Sequence, residues 1–326
     1  MTDFPEKSPA SSWKRSPRKK SSNSRWILLA LAIVLVVVVA YGVQRSPVGK
    51  SSAQTSPFDG DRAYEDLKKI VGFGPRPAGS EALAKTRAYI VAELEKAGLK
   101  PQLDEFEART PIGPIKMVNI RAFRPGAKPT VIAITGHYDT KRYNFRFDGA
   151  SDGGSSAAWV LEMARATAGL KLENTLEFIF FDGEEAVGDW SAVDSVYGSR
   201  YDVERRTKAG DLRQLKALVL VDMIGDKNLN IKQEPGSTPW LTTTIWNTAH
   251  SLGYNREFVN DQLPIEDDHL PYLKAGVPAV DLIDFDYPHW HQASDSLDKT
   301  SARSLKVVGD VVFAALPEID KRAASQ

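Results

Sequence analysis

The chain contains no cysteine. That excludes a disulfide scaffold, a Cys-ligated zinc site, an iron–sulfur cluster and a cysteine nucleophile. Histidine is scarce too: only His137, His250, His269, His289 and His291 occur in 326 residues. Any metal must be held by these few imidazoles together with Asp and Glu. Neither sign of charge is in excess, with 42 basic and 42 acidic residues. At 42% hydrophobic and 26% charged, the chain is neither disordered nor fibrous. It is long enough to bury a sizeable core.

The neutral total hides a segregation of charge. Residues 1–25 hold seven basic residues (Lys7, Lys14, Arg15, Arg18, Lys19, Lys20, Arg25) and two acids. They are rich in Ser and Pro and carry no apolar period, which predicts a disordered tail. Residues 26–43 form an uncharged run of 18 residues. As a helix the run spans about 27 Å at about 1.5 Å per residue, close to the hydrocarbon thickness of a bilayer. With the basic tail before it, a single-pass transmembrane signal anchor is expected. Residues 1–25 would then be cytoplasmic and the rest extracytoplasmic, periplasmic or at the cell surface. The competing reading is a cleaved signal peptide ending near Ala40-Tyr41-Gly42, which gives a secreted protein. Residues 44–58 read as a polar linker and residues 59–326 as one domain, with no second linker and no repeat. Beyond residue 43 there are 35 basic and 40 acidic residues. No nucleic-acid footprint is present there.

Residues 80–98 place apolar side chains at helical spacing and end on a glycine, which predicts a helix. Helices are also expected over 155–168, 239–252 and 301–316. Strands are expected over 116–122, 129–135, 175–181, 217–221 and 278–283. Strands alternate with helices at βαβ spacing, so the class is α/β with a mostly parallel central sheet covered on both faces.

In such sheets ligands gather at the carboxyl ends of the strands. His137-Tyr138-Asp139 follows one predicted strand. Asp152, in Gly149-Ala150-Ser151-Asp152-Gly153-Gly154, opens the next helix. Asp182-Gly183-Glu184-Glu185 follows a second strand and Asp222 a third. Asp284, Asp286, His289 and His291 follow the last. Taken singly, each has an ordinary reading: His137 a hydrogen-bonded loop residue, Asp152 an N-cap, Glu184 and Glu185 solvated charge, Asp222 a loop acid. Their joint occurrence at successive strand ends does not read that way. Such an acid cluster repels itself unless a cation neutralises it, and without cysteine a His/carboxylate zinc site is the natural occupant. Trp240, Trp246 and His250 fall in the helix predicted over 239–252 and read as core rather than pocket wall.

These motifs resemble the bacterial leucyl-aminopeptidase family of zinc exopeptidases, and within that clan most of all the glutaminyl cyclases of animal and bacterial type. The specific stretch is residues 180–200, FFDGEEAVGDWSAVDSVYGSR, joined by Asp267-Asp268-His269-Leu270-Pro271-Tyr272-Leu273 and the pair Trp290-His291. The resemblance covers roughly residues 60–320. It implies a three-layer αβα zinc-exopeptidase-like domain, with Asp152, Glu185 and His291 as zinc ligands. His291 is preferred over His289 because it follows Trp290 in the matching order. Glu184 becomes the general acid/base, with Asp222 and Asp267 as buried acids beside the metal. Trp190 and Trp290 would shape the substrate pocket. Animal cyclases carry histidine where this chain has Asp281, which is placed with the substrate-binding residues. One zinc is expected. A second is allowed, because His137 and Asp222 match the second-metal positions of the aminopeptidases, bridged by Asp152.

The activity so implied is glutaminyl-peptide cyclotransfer. The α-amine of an N-terminal Gln attacks its own γ-carboxamide and ammonia leaves, with peptide or protein N-termini as substrates. Zinc would act as Lewis acid on the carbonyl oxygen. Two rivals stand beside it: a di-zinc aminopeptidase in which Glu184 takes a proton from water, and a silent, membrane-tethered binding domain.

Overall fold

A computed structural model describes residues 56–325. The expected tail and anchor, and all but the last three residues of the expected linker, lie outside those residues. Among the described residues no helix is long and apolar enough to cross a membrane. The folded unit begins before the expected boundary at 59. Phe58 is buried, and its ring packs 5.7 Å from that of Trp159.

Asp59 then caps the first helix, α1 (Gly60–Val71), by accepting the Arg62 N–H. Ser80 caps α2 (Glu81–Lys96) in the same way through the Leu83 N–H. The hairpin β1 (Gln102–Thr110) and β2 (Gly113–Arg124) leads into β3 (Lys128–His137). There follow α3 (Ser156–Ala166), β4 (Asn174–Phe181), α4 (Tyr197–Ala209) and β5 (Leu215–Asp222). The short β6 (Ile231–Gln233) and β7 (Phe258–Gln262) pair with each other, and α5 (Pro239–Ser251) lies between them in sequence. The chain closes with α6 (His269–Lys274), β8 (Ala279–Ile283) and α7 (Ala302–Ala323).

The six-stranded sheet runs β1-β2-β4-β3-β5-β8. It is a mixed sheet whose larger part is parallel, as expected. β4, β3, β5 and β8 pair in parallel, while β2 runs antiparallel to both of its neighbours. Alternate residues of each strand face opposite layers, as the two-residue period of a strand requires. Ile134, Phe178, Val219 and Val280 pack with α1, α2, α3, α5 and α7. Ala133, Ile179, Leu218 and Ala279 pack against Tyr272 of α6 and Val203 of α4. The result is the expected three-layer αβα arrangement.

The topology puts the chemistry in one place. From β3 the chain passes to β4 on one side and then to β5 on the other, so β3 is a switch point between neighbouring crossovers. Its carboxyl end is flanked by those of β4 and β5. His137 is level with Phe181, and Thr135 with Leu220, so His137, the 182–185 segment and Asp222 converge on one edge. Asp222 in turn pairs with Ile283, just before the loop that carries His291.

Candidate active site

At that edge a cleft of about 470 Å³ opens. Asp152, Glu184, Glu185, Asp222, Asp267 and His291 line its floor, and Trp190, Phe285 and Trp290 its mouth. The two tryptophans are 39% and 40% exposed, unusual for side chains of that size. Trp290 stacks on His291 with centroids 4.3 Å apart, and Trp190 Nε1 donates to Glu266 Oε2 at 3.2 Å.

Each functional side chain is set by a local feature of the chain. Asp152 sits in the tight turn Ala150–Ser155 that precedes α3. It caps no helix; its backbone is extended, and the next residue, Gly153, has φ +73°. A Cβ at Gly153 would lie 2.2 Å from the Asp139 carbonyl oxygen and 3.0 Å from His137 Cε1, so only glycine fits here. Glu184 and Glu185 follow β4 and diverge. Glu184 Oε2 lies 3.8 Å from His137 Nδ1, whereas Glu185 Oε1 lies 3.3 Å from His291 Nε2. Among the described residues, three non-glycine residues adopt positive φ: Val196, Met223 and His291. The Val196 N–H donates to the Glu184 carbonyl, Met223 follows Asp222, and His291 is itself on the cleft floor. Backbone strain of this kind is concentrated where a site demands it.

Among the described residues, two groups of side chains could hold a cation. Asp152, Glu185 and His291 offer ligand atoms that all lie within 4.8 Å of one another, and so do His137, Asp152 and Asp222. His291 Nε2 is 3.3 Å from Glu185 Oε1 and 3.5 Å from Asp152 Oδ2. Ligand atoms on a tetrahedral zinc with bonds of about 2.0–2.1 Å lie about 3.3–3.4 Å apart. Asp152 Oδ2 is buried and finds no hydrogen-bond donor. An orphaned buried oxygen facing an imidazole and a second carboxylate suits a divalent cation. In the other group, His137 is 1% exposed and does not reach the cleft.

The electrostatics agree with that fit. Burial, then the neighbouring Glu185, Asp267 and Asp268, push the Glu184 carboxyl well above the usual range, against the pull of His137. Burial, then Asp152, push Glu185 up to about 7. Burial, then Asp281, Asp222 and Asp268, raise Asp267. Burial alone would raise Asp152 as well, but His137, His291 and Arg76 more than offset it and hold it below its ordinary value. So many acids held away from ionisation is the condition a bound cation relieves.

Asp281 does not line the cleft. It is fully buried on β8, with His269 Nδ1 3.6 Å from its carboxylate, and the other ring nitrogen of His269 is 3.3 Å from Glu234. Burial, then the acids around it, raise Asp281 to about 7, against the pull of His269. It therefore stands behind Asp267 and not at the substrate surface. His289 turns outward, with Nδ1 2.9 Å from Ser294 Oγ. Trp246 is core, its ring against Phe258, and His250 Nε2 lies 3.0 Å from the Phe258 carbonyl oxygen. Arg76, Lys141, Glu234 and Asp295 also surround the site, and sequence reasoning did not single them out. Lys141 Nζ donates to the Ala186 carbonyl and lies 3.7 Å from Glu185 Oε2. Its place two residues after Asp139 was the available signal.

Residues 119–316 match the model of peptidase family M28. Glutaminyl-peptide cyclotransferase-like protein of Mus musculus is 27% identical over 319 residues, 83% of each chain. The crystal structure of Acidobacteriales bacterium glutaminyl cyclase superposes with TM-score 0.78 and 36% identity, covering 86% of this chain and 99% of that one. A Zn-dependent exopeptidase from Parabacteroides distasonis superposes with TM-score 0.74 and 25% identity, covering 80% and 98%.

Proposed function

The chain belongs to peptidase family M28 and to the glutaminyl cyclases within it, and we infer that it converts the N-terminal glutamine of peptides to pyroglutamate with release of ammonia. It acts as an acyltransferase. The observation that carries this reading is the placement of Glu184 on the floor of a cleft beside Asp152, Glu185 and His291, under two half-exposed tryptophans.

Asp152, Glu185 and His291 would hold one zinc ion, which would supply Lewis-acid polarisation of the γ-carboxamide when bound. Trp190 and Trp290 receive the glutamine side chain at the mouth and limit the water around it. The α-amine attacks the γ-carbonyl carbon; a carbon–nitrogen bond forms and the bond to the amide nitrogen breaks. Glu184 takes the proton from the attacking amine and delivers it to the departing nitrogen, which leaves as ammonia. A carboxyl raised by burial and neighbouring acids, and lowered again by a nearby cation, has the affinity such a shuttle needs. Asp267, on the cleft floor with one oxygen free of donors, helps to raise the Glu184 carboxyl by like-charge repulsion. Asp222 orients His137 at 3.0 Å.

The sequence of residues 1–43 supports an anchored, extracytoplasmic domain, with peptide and protein N-termini as the substrates. The deciding experiment offers a Gln-initiated and a Leu-initiated peptide to the purified domain. Ammonia release without chain shortening is the expected result. Release of free leucine would instead identify an aminopeptidase.

A further inference from the structure

Arg76 is fully buried, yet among the described residues no carboxylate lies within ion-pair distance of its guanidinium. Its donors go to main-chain carbonyls: Nε to Tyr138 at 3.0 Å, Nη1 to Asp148 at 2.7 Å, and Nη2 to Gly149 at 2.7 Å and Asp152 at 3.3 Å. Burial lowers its pKa to about 10, opposed by Asp295, Asp152, Asp139 and Asp148, so it remains a cation at neutral pH. Burying a charge is costly unless hydrogen bonds replace its lost water. Here they are spent on the two segments that carry His137, Asp139 and Asp152.

Asp295 grips the same turn from its N–H side. Its Oδ1 accepts the Ser151 N–H at 2.9 Å and its Oδ2 the Asp152 N–H at 3.1 Å. Asp295 Oδ1 also accepts the Tyr287 hydroxyl at 2.7 Å. Tyr287 and Asp295 stand four residues before and four after His291. A single buried carboxylate therefore ties the turn that holds Asp152 to the loop that holds His291. That loop needs a tether, because His291 itself sits at φ +55°.

We propose that Arg76 and Asp295 are a two-sided main-chain clamp on Asp152 that sets the Asp152–His291 spacing and hence the grip on the metal. Neither side chain lines the cleft, so both are positioning residues. The proposal rests on the reading of Asp152, Glu185 and His291 as the zinc ligands.

The test measures zinc affinity, by competition with a chelator, on folded metal-stripped protein, together with the melting of the metal-free form. Asp295→Asn keeps the size but turns an N–H₂ toward one of the donors. Arg76→Lys keeps the charge but cannot reach four carbonyls. Each should weaken zinc by roughly 10- to 100-fold, as loss of an outer partner of a ligand does, while the metal-free protein still melts cooperatively. Lowered melting with unchanged zinc affinity would make the clamp merely structural and overturn the proposal. Should either variant not fold, Tyr287→Phe decides, since it removes only one hydroxyl: weaker zinc binding is expected, and wild-type affinity would overturn the proposal. Asp152→Ala separates the two ideas. If it retains wild-type affinity, the ligand assignment is wrong. If it alone loses zinc, the assignment stands and the clamp fails.

Discussion

Asp222 Oδ1 lies 3.0 Å from His137 Nε2, and the same oxygen accepts hydrogen bonds from Ser156 Oγ at 3.2 Å and from the Met223 N–H at 2.7 Å. That oxygen is engaged by three partners, and the imidazole it faces is buried off the cleft. The adjacent triad of Asp152, Glu185 and His291 is instead open to the cleft, with an oxygen unpaired. One zinc per chain is therefore expected. Asp222→Asn should retain it, while Asp152→Ala or His291→Ala should lose it, because three protein ligands are the minimum such a site uses. His289→Ala should keep the metal, its ring being turned away. Metal analysis after gel filtration distinguishes these outcomes, and two zinc ions in the wild type would return His137 and Asp222 to the ligand set.

Glu184 faces His137 and Glu185 faces His291, so different duties are expected of them. A general base contributes typically 10²–10⁴-fold, about 3–5 kcal/mol of barrier. Glu184→Gln should lose turnover in roughly that range with zinc content and melting temperature near normal. Glu185→Gln should lower zinc occupancy instead. Metal content and steady-state kinetics on both variants decide it, and exchanged phenotypes would reverse the roles.

Much of this site was legible in the chain because parallel strands gather their carboxyl ends on one edge. His137, Glu184, Glu185, Asp222 and His291 could be collected without coordinates. Other parts were not. β1 alternates charge on an exposed edge, so its apolar period is weak and its pairing with β2 decides its state. The last helix is expected over 301–316, and Pro317, which lacks an N–H to donate, follows that end. α7 continues to Ala323, because Ile319 and Ala323 are buried and Asp320 accepts the Glu173 and Asn174 N–H groups. Arg76, between two prolines in a loop, reads as surface charge; nothing local announces four carbonyls converging on it. Asp281 was placed by its match to a substrate-side position, and its burial behind Asp267 depends on the pairing of β5 with β8.

For the anchor, the full chain expressed in its cell of origin should fractionate with membranes and be extracted by detergent but not by high salt. A soluble protein whose mature N-terminus lies beyond Gly42 would replace the anchor with a cleaved signal.

Gly309 in α7 lies under the ring of Phe58. A Cβ there would come within 2.3 Å of Phe58 Cγ. Alanine gains about 1 kcal/mol of helix propensity over glycine, but overpacking a close-fitted site costs about 1–3 kcal/mol. Trp159 backs the ring, so the clash should win. Gly309→Ala is expected to lower the melting temperature, and Phe58→Leu in the same chain should return part of the loss. A Gly309→Ala protein more stable than wild type would mean that the Phe58 segment yields freely.

Asp284 gives a stability prediction whose sign can be worked out. Burial raises its carboxyl to about 7, while the Asn230 and Asp286 N–H groups pull it down and Asp226 and Asp286 push it up. In the unfolded chain the group ionises near 4. Between these values the folded state binds more protons than the unfolded state, so stability falls as pH rises, by at most about 1.4 kcal/mol per pH unit for this one group. Below about 4 no penalty is present; above about 7 it is complete. Asp284→Asn imitates the protonated form, with one acceptor oxygen for Asn230. Denaturant unfolding of both proteins at pH 5 and pH 8 should show the wild type losing ground to the variant at the higher pH. A difference between them that is the same at both pH values would show that Asp284 does not carry a raised pKa in the folded protein.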